Sequence, residues 1–303
     1  MDERVYCREL ASAAAAPLQG TAIHVELWLL IEYARPWRAR ALQDNEFPAE
    51  INAALARLVD ELAGHGVSLR VQFIKQASSA QIEKPRLFLA DGRSGCGRLM
   101  AGTLESYASL TELRAADLLS MRIPGGVEDD AGVYLVCTNG QRDLCCARFG
   151  LPVYESLRIA HGTGVWQTSH VGGHRYAPNI VCLPSGIVYG FAEESIATEL
   201  VANHQSGVIA LEHLRGRSGY TPAMQAADCF VRAAHDHREL DPLRFKVASS
   251  KDAGDSSERQ EFSYDGAYSG RVTVRRRVLD EPVVASCGAV PKQDHIYELM
   301  SIS

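Results

Sequence analysis

The order of strand and helix patterns along the chain most limits the folds that it can adopt. Runs of strand-forming residues lie at 22–33, 67–74 and 85–90. Between and after them, segments 51–62 and 109–119 carry apolar residues at helical spacing. The predicted order for this part of the chain is therefore β-α-β-β-α.

A second set of elements follows in nearly the same order. The segment RIPGGVEDDAG, at 122–132, has the Pro, Gly and acidic composition of a linker between domains. Beyond it the predicted order is β-α-β-β-β-α, with elements at 132–137, 146–160, 165–170, 179–183, 187–191 and 194–205. Repeated in this way, the pattern resembles two tandem thioredoxin-like units. The predicted fold class is α/β.

The remaining residues predict a C-terminal helix and a β-rich extension. Thr221 is a favourable N-cap, and Pro222 would take the first helical position. A helix is therefore predicted within the string TPAMQAADCFVRAAHD. The polar, Ser-rich segment 249–260 is typical of an exposed loop. Alternation at 271–278 and the apolar residues at 281–290 predict a terminal hairpin or meander.

Composition excludes several classes of partner. The 303 residues include 31 Lys and Arg against 37 Asp and Glu, a formal net charge of -6, so the chain has no basic footprint for a nucleic acid or an anionic membrane. The apolar run 22–31 is too short to cross a membrane and is interrupted by Glu26. The charged N-terminus, MDERVYCREL, is unlike a secretory signal. We therefore expect a cytoplasmic protein.

Thiols stay reduced in the cytoplasm, so eight cysteines are better explained as core residues or metal ligands than as a disulfide framework. Four residues in the middle of the chain have a spacing that suits a metal centre: Cys137, Cys146, His170 and His174. The two cysteines follow one predicted strand and the two histidines follow another, so neighbouring strand ends would present all four to one point. Both zinc and a 2Fe-2S cluster accept such ligands.

Three strings of residues resemble the sucrase/ferredoxin-like family: GTAIHVELWLLIEYARPW, CTNGQRDLCC and HVGGHRYAPN. The resemblance runs from about residue 7 to at least 220. It implies a thioredoxin-like ferredoxin of the bis-histidine branch, in which a cysteine nine positions after the first is a ligand. That spacing selects Cys146 over Cys145.

The implied cofactor is a 2Fe-2S cluster, with Cys137 and Cys146 on one iron and His170 and His174 on the other. The implied domains are a degenerate thioredoxin-like unit without a cluster at 1–124, and a thioredoxin-like ferredoxin domain with a C-terminal extension at 125–303.

This ligand set predicts how the centre would behave. Two neutral imidazoles in place of two thiolates bring the oxidised cluster close to neutral, so its potential should rise to about -150 to +300 mV. Each imidazole keeps a second ring nitrogen, so electron uptake should couple to proton uptake. Arg142, Asp143 and Arg175 are candidates for hydrogen bonds that tune the centre.

Motifs for other redox chemistry are missing from the sequence. No Cys-x-x-Cys occurs, so thioredoxin-like dithiol exchange is disfavoured. No GxGxxG or Walker-type loop occurs either, so electrons should come from an unidentified protein partner. No catalytic residue is predicted, and an electron carrier is favoured over an enzyme. Two alternatives stay open: a structural zinc protein with the same four ligands, and a sucrose hydrolase as the family's name suggests.

The other cysteines have simpler interpretations. Cys182 and Cys229 are expected to be small buried apolar residues. Cys145, Cys7 and Cys287 carry no signal beyond packing. Cys96, in the string SGCGR, is a weak candidate for a free reactive thiol.

Overall fold

The computed structural model describes residues 5–93, 97–253 and 257–303. Within these ranges ten strands form one mixed sheet. They are β1 (Leu27–Glu32), β2 (Leu69–Lys75), β3 (Arg86–Asp91), β4 (Arg98–Thr103), β5 (Val127–Glu128), β6 (Val133–Cys137), β7 (Val165–Thr168), β8 (Ile180–Leu183), β9 (Ile187–Tyr189) and β10 (Leu214–Arg217). Their order across the sheet is β10-β9-β8-β6-β7-β2-β1-β3-β4-β5.

Strand pairing repeats in the two halves of the sheet. β1 runs parallel to β2 and antiparallel to β3, which pairs antiparallel with β4. In the same way β6 runs parallel to β7 and antiparallel to β8, which pairs antiparallel with β9. A short antiparallel contact between β2 and β7 joins the halves. The α/β class is confirmed, whereas strands β4 and β10 of this sheet were not predicted from the sequence.

Helices cover the sheet and connect its strands. They are α1 (Cys7–Ala13), α2 (Ala49–Gly64), α3 (Ala115–Leu119), α4 (Leu144–His161), α5 (Glu194–Gln205) and α6 (Pro222–His235). The predicted helix at 109–119 is divided into a 3₁₀ segment, Tyr107–Glu112, and α3, because Leu113 and Arg114 are extended. The predicted linker, 122–132, contributes the edge strand β5. No helix in the described part of the chain is long and apolar enough to cross a membrane.

Residues from both halves of the large sheet form one hydrophobic cluster at its centre. Every residue of β1 and β6 is buried, as in strands covered on both faces. Trp28 of β1 packs in one cluster with Trp166 of β7, together with the side chains of Cys137 and Cys146. The two cysteines of the predicted site therefore lie in a core that neither half builds alone.

A second sheet follows the first. Its strands, β11 (Arg244–Ala253), β12 (Ser257–Asp265), β13 (Gly270–Val278) and β14 (His295–Ile302), pair antiparallel in chain order. One face packs on α6, where Ala227 and Val231 meet Phe262 and Val272. The predicted helix is confirmed, with the Thr221 hydroxyl accepting from the Met224 amide at 3.4 Å. A C-terminal helix and a β-rich extension are therefore both present.

Two predictions for the extension are wrong. Segment 249–260 is not a loop, since 249–253 and 257–260 are strand residues of a hairpin; residues 254–256 lie outside the described ranges. The prediction of a loop rested on polar composition. A strand with one face exposed to solvent can also be polar, because few of its side chains have to be apolar. Segment 281–290 contributes only an isolated bridge from Val283 to Lys292, and the last strand is β14.

Gly150 allows α4 to lie directly on β6. A Cβ atom at this position would stand 2.2 Å from the carbonyl oxygen of Cys137, a backbone atom that cannot move independently of the strand. Only glycine permits this separation of helix and strand. Because α4 carries Cys146 and β6 ends at Cys137, Gly150 also sets the distance between those two residues.

We expect Gly150→Ala to destabilise the protein by about 1 to 3 kcal/mol, the usual range for overpacking, because α4 would have to move away from β6. Urea denaturation measures the loss of stability. Gly64→Ala is the matched control, since a Cβ at this last residue of α2 meets nothing within 4 Å. Its expected effect is neutral or stabilising by up to about 1 kcal/mol. Equal stability of the two variants would contradict this account of Gly150.

Candidate metal centre

The ends of two parallel strands bring the predicted ligands together. Cys137 is the last residue of β6, and Cys146 lies in the first turn of α4. His170 follows the neighbouring strand β7, which ends at Thr168. Gly172 and Gly173 have positive φ angles of 87° and 67°, and they turn the chain back so that His174 lies beside His170.

Three of the four predicted ligands form one compact group. The Nδ1 atom of His170 lies 3.8 Å from the Cys137 sulfur and 3.6 Å from the Cys146 sulfur. The ligand atoms of these three residues all lie within 4.8 Å of one another, so the group could hold a metal ion. His174 lies next to this group, with its Nδ1 3.3 Å from Nε2 of His170.

Burial separates the thiols from the imidazoles. Cys137 and Cys146 are 1% and 0% exposed, whereas His170 and His174 are half-buried, so the imidazoles form the side of the site that faces solvent. Hydrogen bonding from Cys146 and then from His170 lowers the pKa of Cys137. The pKa of Cys146 is raised, since it is the partner of that thiolate and is buried. The surroundings of Cys137 thus favour its thiolate form.

His174 is held in its neutral form. Burial lowers the pKa of His174 below its usual value, and the nearby Asp143 carboxylate opposes that shift only in part. A neutral imidazole offers the nitrogen lone pair that a metal needs. The residue is therefore suited to metal binding at neutral pH.

The N-terminal half supports the loop that carries His170, through residues that we did not predict. Arg70 of β2 donates from Nη2 to the His170 carbonyl oxygen at 2.5 Å. Burial lowers the pKa of Arg70 to about 10, against an opposing effect of Cys137. Gln72 of the same strand donates to the Ser169 hydroxyl at 2.8 Å. The sequence did contain a signal for this role, since Arg70 and Gln72 are polar residues within the apolar strand pattern VSLRVQFI.

Asp143 links the loop of the two cysteines to other parts of the chain. Its Oδ1 accepts from the Cys145 amide at 2.9 Å and so caps α4. Its Oδ2 accepts from the Ser286 hydroxyl at 2.7 Å and from the Cys287 amide at 2.8 Å. Burial by itself would raise the pKa of Asp143, but these bonds and His174 outweigh it and lower the pKa to about 2. Oδ2 also lies 3.7 Å from Nε2 of His174.

The other two predicted tuning residues are placed differently. Arg175 is buried and forms an ion pair with Asp294, Nη1 to Oδ2 at 2.8 Å. It also donates to the Tyr176 hydroxyl. Arg142 is exposed and shares with His170 the lining of a cleft of about 530 Å³. Of the three candidates, Asp143 makes the closest approach to a predicted ligand among the contacts described.

The remaining cysteines fall into two groups. Cys182 and Cys229 are buried, and burial raises the pKa of each thiol, as expected of apolar packing residues. Cys145 instead meets Cys7 and Cys287, which packing alone did not predict. Cys96 lies outside the described residues.

A comparison with protein families gives one match. The model described as sucrase/ferredoxin-like matches residues 18–216, more than half of the chain. The matched range includes all four predicted ligands and excludes both Cys7 and Cys287. Searches of curated proteins and of solved structures found no match.

Proposed function

The chain belongs to the sucrase/ferredoxin-like family, and from this we propose that it is a redox protein that holds a 2Fe-2S cluster on Cys137, Cys146, His170 and His174. It would pass one electron at a time to or from a protein partner. The observation that carries the proposal is the convergence of two thiols and an imidazole within 4.8 Å, with a second imidazole in contact with the first.

The donor set fits the proposed cofactor. Cysteine thiolates bind the iron of such clusters, and neutral imidazoles can replace two of them. The environment of Cys137 favours its thiolate, and that of His174 favours the neutral ring. When bound, the cluster would supply reversible one-electron chemistry at a potential raised by its two histidine ligands.

The surrounding residues would orient the ligands and exclude water. Trp28 and Trp166 keep the cysteine side of the site dry. Arg70 fixes the backbone of His170, and Asp143 faces the outer nitrogen of His174. A ring nitrogen that does not bind the metal can take or release a proton.

An electron partner would approach from the histidine side. The cleft beside His170 is also lined by Arg70, Arg142 and Arg40, the last of which is paired with Asp44. Its positive charge would favour an acidic partner surface and would raise the rate of encounter at low salt.

Among the described residues that line this cleft, none is Asp or Glu, so it lacks the paired carboxylates that glycoside hydrolysis requires.

Paramagnetic resonance of dithionite-reduced protein tests the proposal, together with visible absorption and assays for iron and sulfide. A reddish-brown protein with two irons per chain and a Rieske-like signal supports it. A colourless protein with zinc on the same ligands would contradict it and favour a structural zinc site. Release of glucose from sucrose would instead point to a hydrolase.

The midpoint potential is expected to fall with rising pH. The reduced state should bind a proton more tightly at an imidazole than the oxidised state does, so removing protons disfavours reduction. Above the pKa of the oxidised-state imidazoles, the slope should approach about -59 mV per pH unit for each proton coupled to one electron. Potentiometric titration at several pH values measures it. A potential that stays constant from about pH 6 to 9 would rule out this proton coupling.

A further inference from the structure

Three thiols and a carboxylate from distant parts of the chain meet beside the candidate centre. The sulfur of Cys145 lies 3.5 Å from that of Cys7 and 3.3 Å from that of Cys287, and the sulfurs of Cys7 and Cys287 are 3.7 Å apart. Oδ1 of Asp143 lies 3.2 Å from the Cys287 sulfur and 3.8 Å from the Cys7 sulfur. All four ligand atoms lie within 4.8 Å of one another.

We propose that these four residues bind a single Zn²⁺ ion, with Cys7, Cys145 and Cys287 as thiolate ligands and Asp143 as the fourth. Zinc takes four tetrahedral ligands at about 2.3 Å for sulfur, which places two sulfurs about 3.8 Å apart. The three sulfur separations are close to that length. The side chains would need only small shifts to receive the ion.

The geometry favours a metal over a disulfide. A disulfide joins two sulfurs at about 2.05 Å and leaves a third thiol without a role. Here the three sulfurs form a nearly equilateral triangle, and a carboxylate oxygen lies close to two of its corners.

The ligands are already held in place. Ser286 and the backbone amides of Cys145 and Cys287 orient the Asp143 carboxylate, and the backbone of Arg8 hydrogen-bonds the Cys145 sulfur. Such outer contacts fix the donors of metal sites and strengthen binding. Cys7 and Cys145 are 0% exposed and Cys287 is half-buried, which leaves one side through which an ion can enter.

This site is separate from the one proposed for iron and extends beyond the family match. Cys7 and Cys287 lie outside residues 18–216, so the zinc site would be a feature of this chain's own ends. It would fasten α1 and the irregular segment at 279–294 to the start of α4. Because Asp143 also faces His174, the zinc site would fix one neighbour of the proposed iron site.

Zinc analysis of purified full-length protein, expressed with added zinc, tests the proposal. Zinc should remain stoichiometric in the His170→Ala/His174→Ala variant, which impairs the neighbouring site. Adding Cys287→Ser to that variant should lower zinc affinity at least about tenfold. Cys182→Ala, in the same background, is the matched control because that buried cysteine lies outside both groups. Unchanged zinc affinity in the Cys287→Ser variant would overturn the proposal.

Two further measurements keep the test independent of folding and of the proposed function. Cobalt added to the metal-free His170→Ala/His174→Ala variant should produce sulfur-to-cobalt charge-transfer bands that Cys287→Ser weakens, and zinc should protect the half-buried Cys287 from alkylation. A Cys145 to Cys287 disulfide in protein prepared under reducing conditions would overturn the proposal, as would iron in this site. Zinc at both sites would contradict the redox function and leave the present proposal standing.

Discussion

The variant His170→Cys/His174→Cys is expected to have a midpoint potential lower than that of the native protein by about 250 mV or more. Centres with two histidine ligands span about -150 to +300 mV, whereas plant-type centres with four cysteines lie near -400 mV. The reason is electrostatic, because two additional thiolates make the oxidised centre more negative and oppose the incoming electron.

Redox titration followed by paramagnetic resonance measures this shift. The resonance signal should move toward that of ferredoxins with four cysteine ligands, and the pH dependence of the potential should disappear with the imidazoles. His65→Cys is the matched control, since it adds one thiol at an exposed residue that caps α2 and makes none of the contacts described for the site. An unchanged potential in the double variant would show that the two histidines are not ligands.

Arg232→Met is expected to cost about 3 to 5 kcal/mol of unfolding free energy, because it leaves a buried charge without its partner. The side chains of Arg232 and Asp228 are both 0% exposed, and Nε donates to the carboxylate at 2.9 Å. Arg232 also donates to the carbonyl oxygens of Glu239 and Asp241 at 2.7 and 2.6 Å. Methionine fills part of the space but satisfies none of these acceptors.

Urea denaturation gives the free energy of unfolding of the Arg232→Met variant, and the Arg238→Met variant is the control with which it is compared. Arg238 also pairs with two carboxylates, Glu212 and Asp236, but its side chain is 40% exposed. Exposed pairs of this kind contribute about 0 to 1 kcal/mol. If both variants lose the same stability, burial is not what makes the Arg232 pair important.

The second half of the large sheet was predictable because its signals are local. The segments predicted at 132–137, 179–183 and 194–205 coincide closely with β6, β8 and α5. Each combines a run of apolar residues with a clear turn or end signal, so neighbouring residues determine the element. The ligand strings lie at the ends of two neighbouring strands of this half, so the sequence could place the predicted ligands near one another, although the choice of Cys146 over Cys145 came from the family resemblance.

Contacts between distant segments could not be predicted in this way. Cys7, Cys145 and Cys287 have no common spacing, and only the packing of α1 and the 279–294 segment against α4 brings them together. Arg70 supports His170 because β2 and β7 are neighbours in the sheet, a pairing that no pattern within either strand specifies.

The pairing of β2 with β7 also bears on how the protein can be divided. Within the described ranges, two residue pairs, Ile74 with Thr168 and Lys75 with Gln167, connect the halves through the sheet, and both lie close to His170. A fragment that begins after residue 124 would keep all four proposed iron ligands. It would, however, leave β7 as an unpaired edge, a ready site for aggregation, and would lose Arg70. Such a fragment would therefore need another strand or a helix to cover that edge.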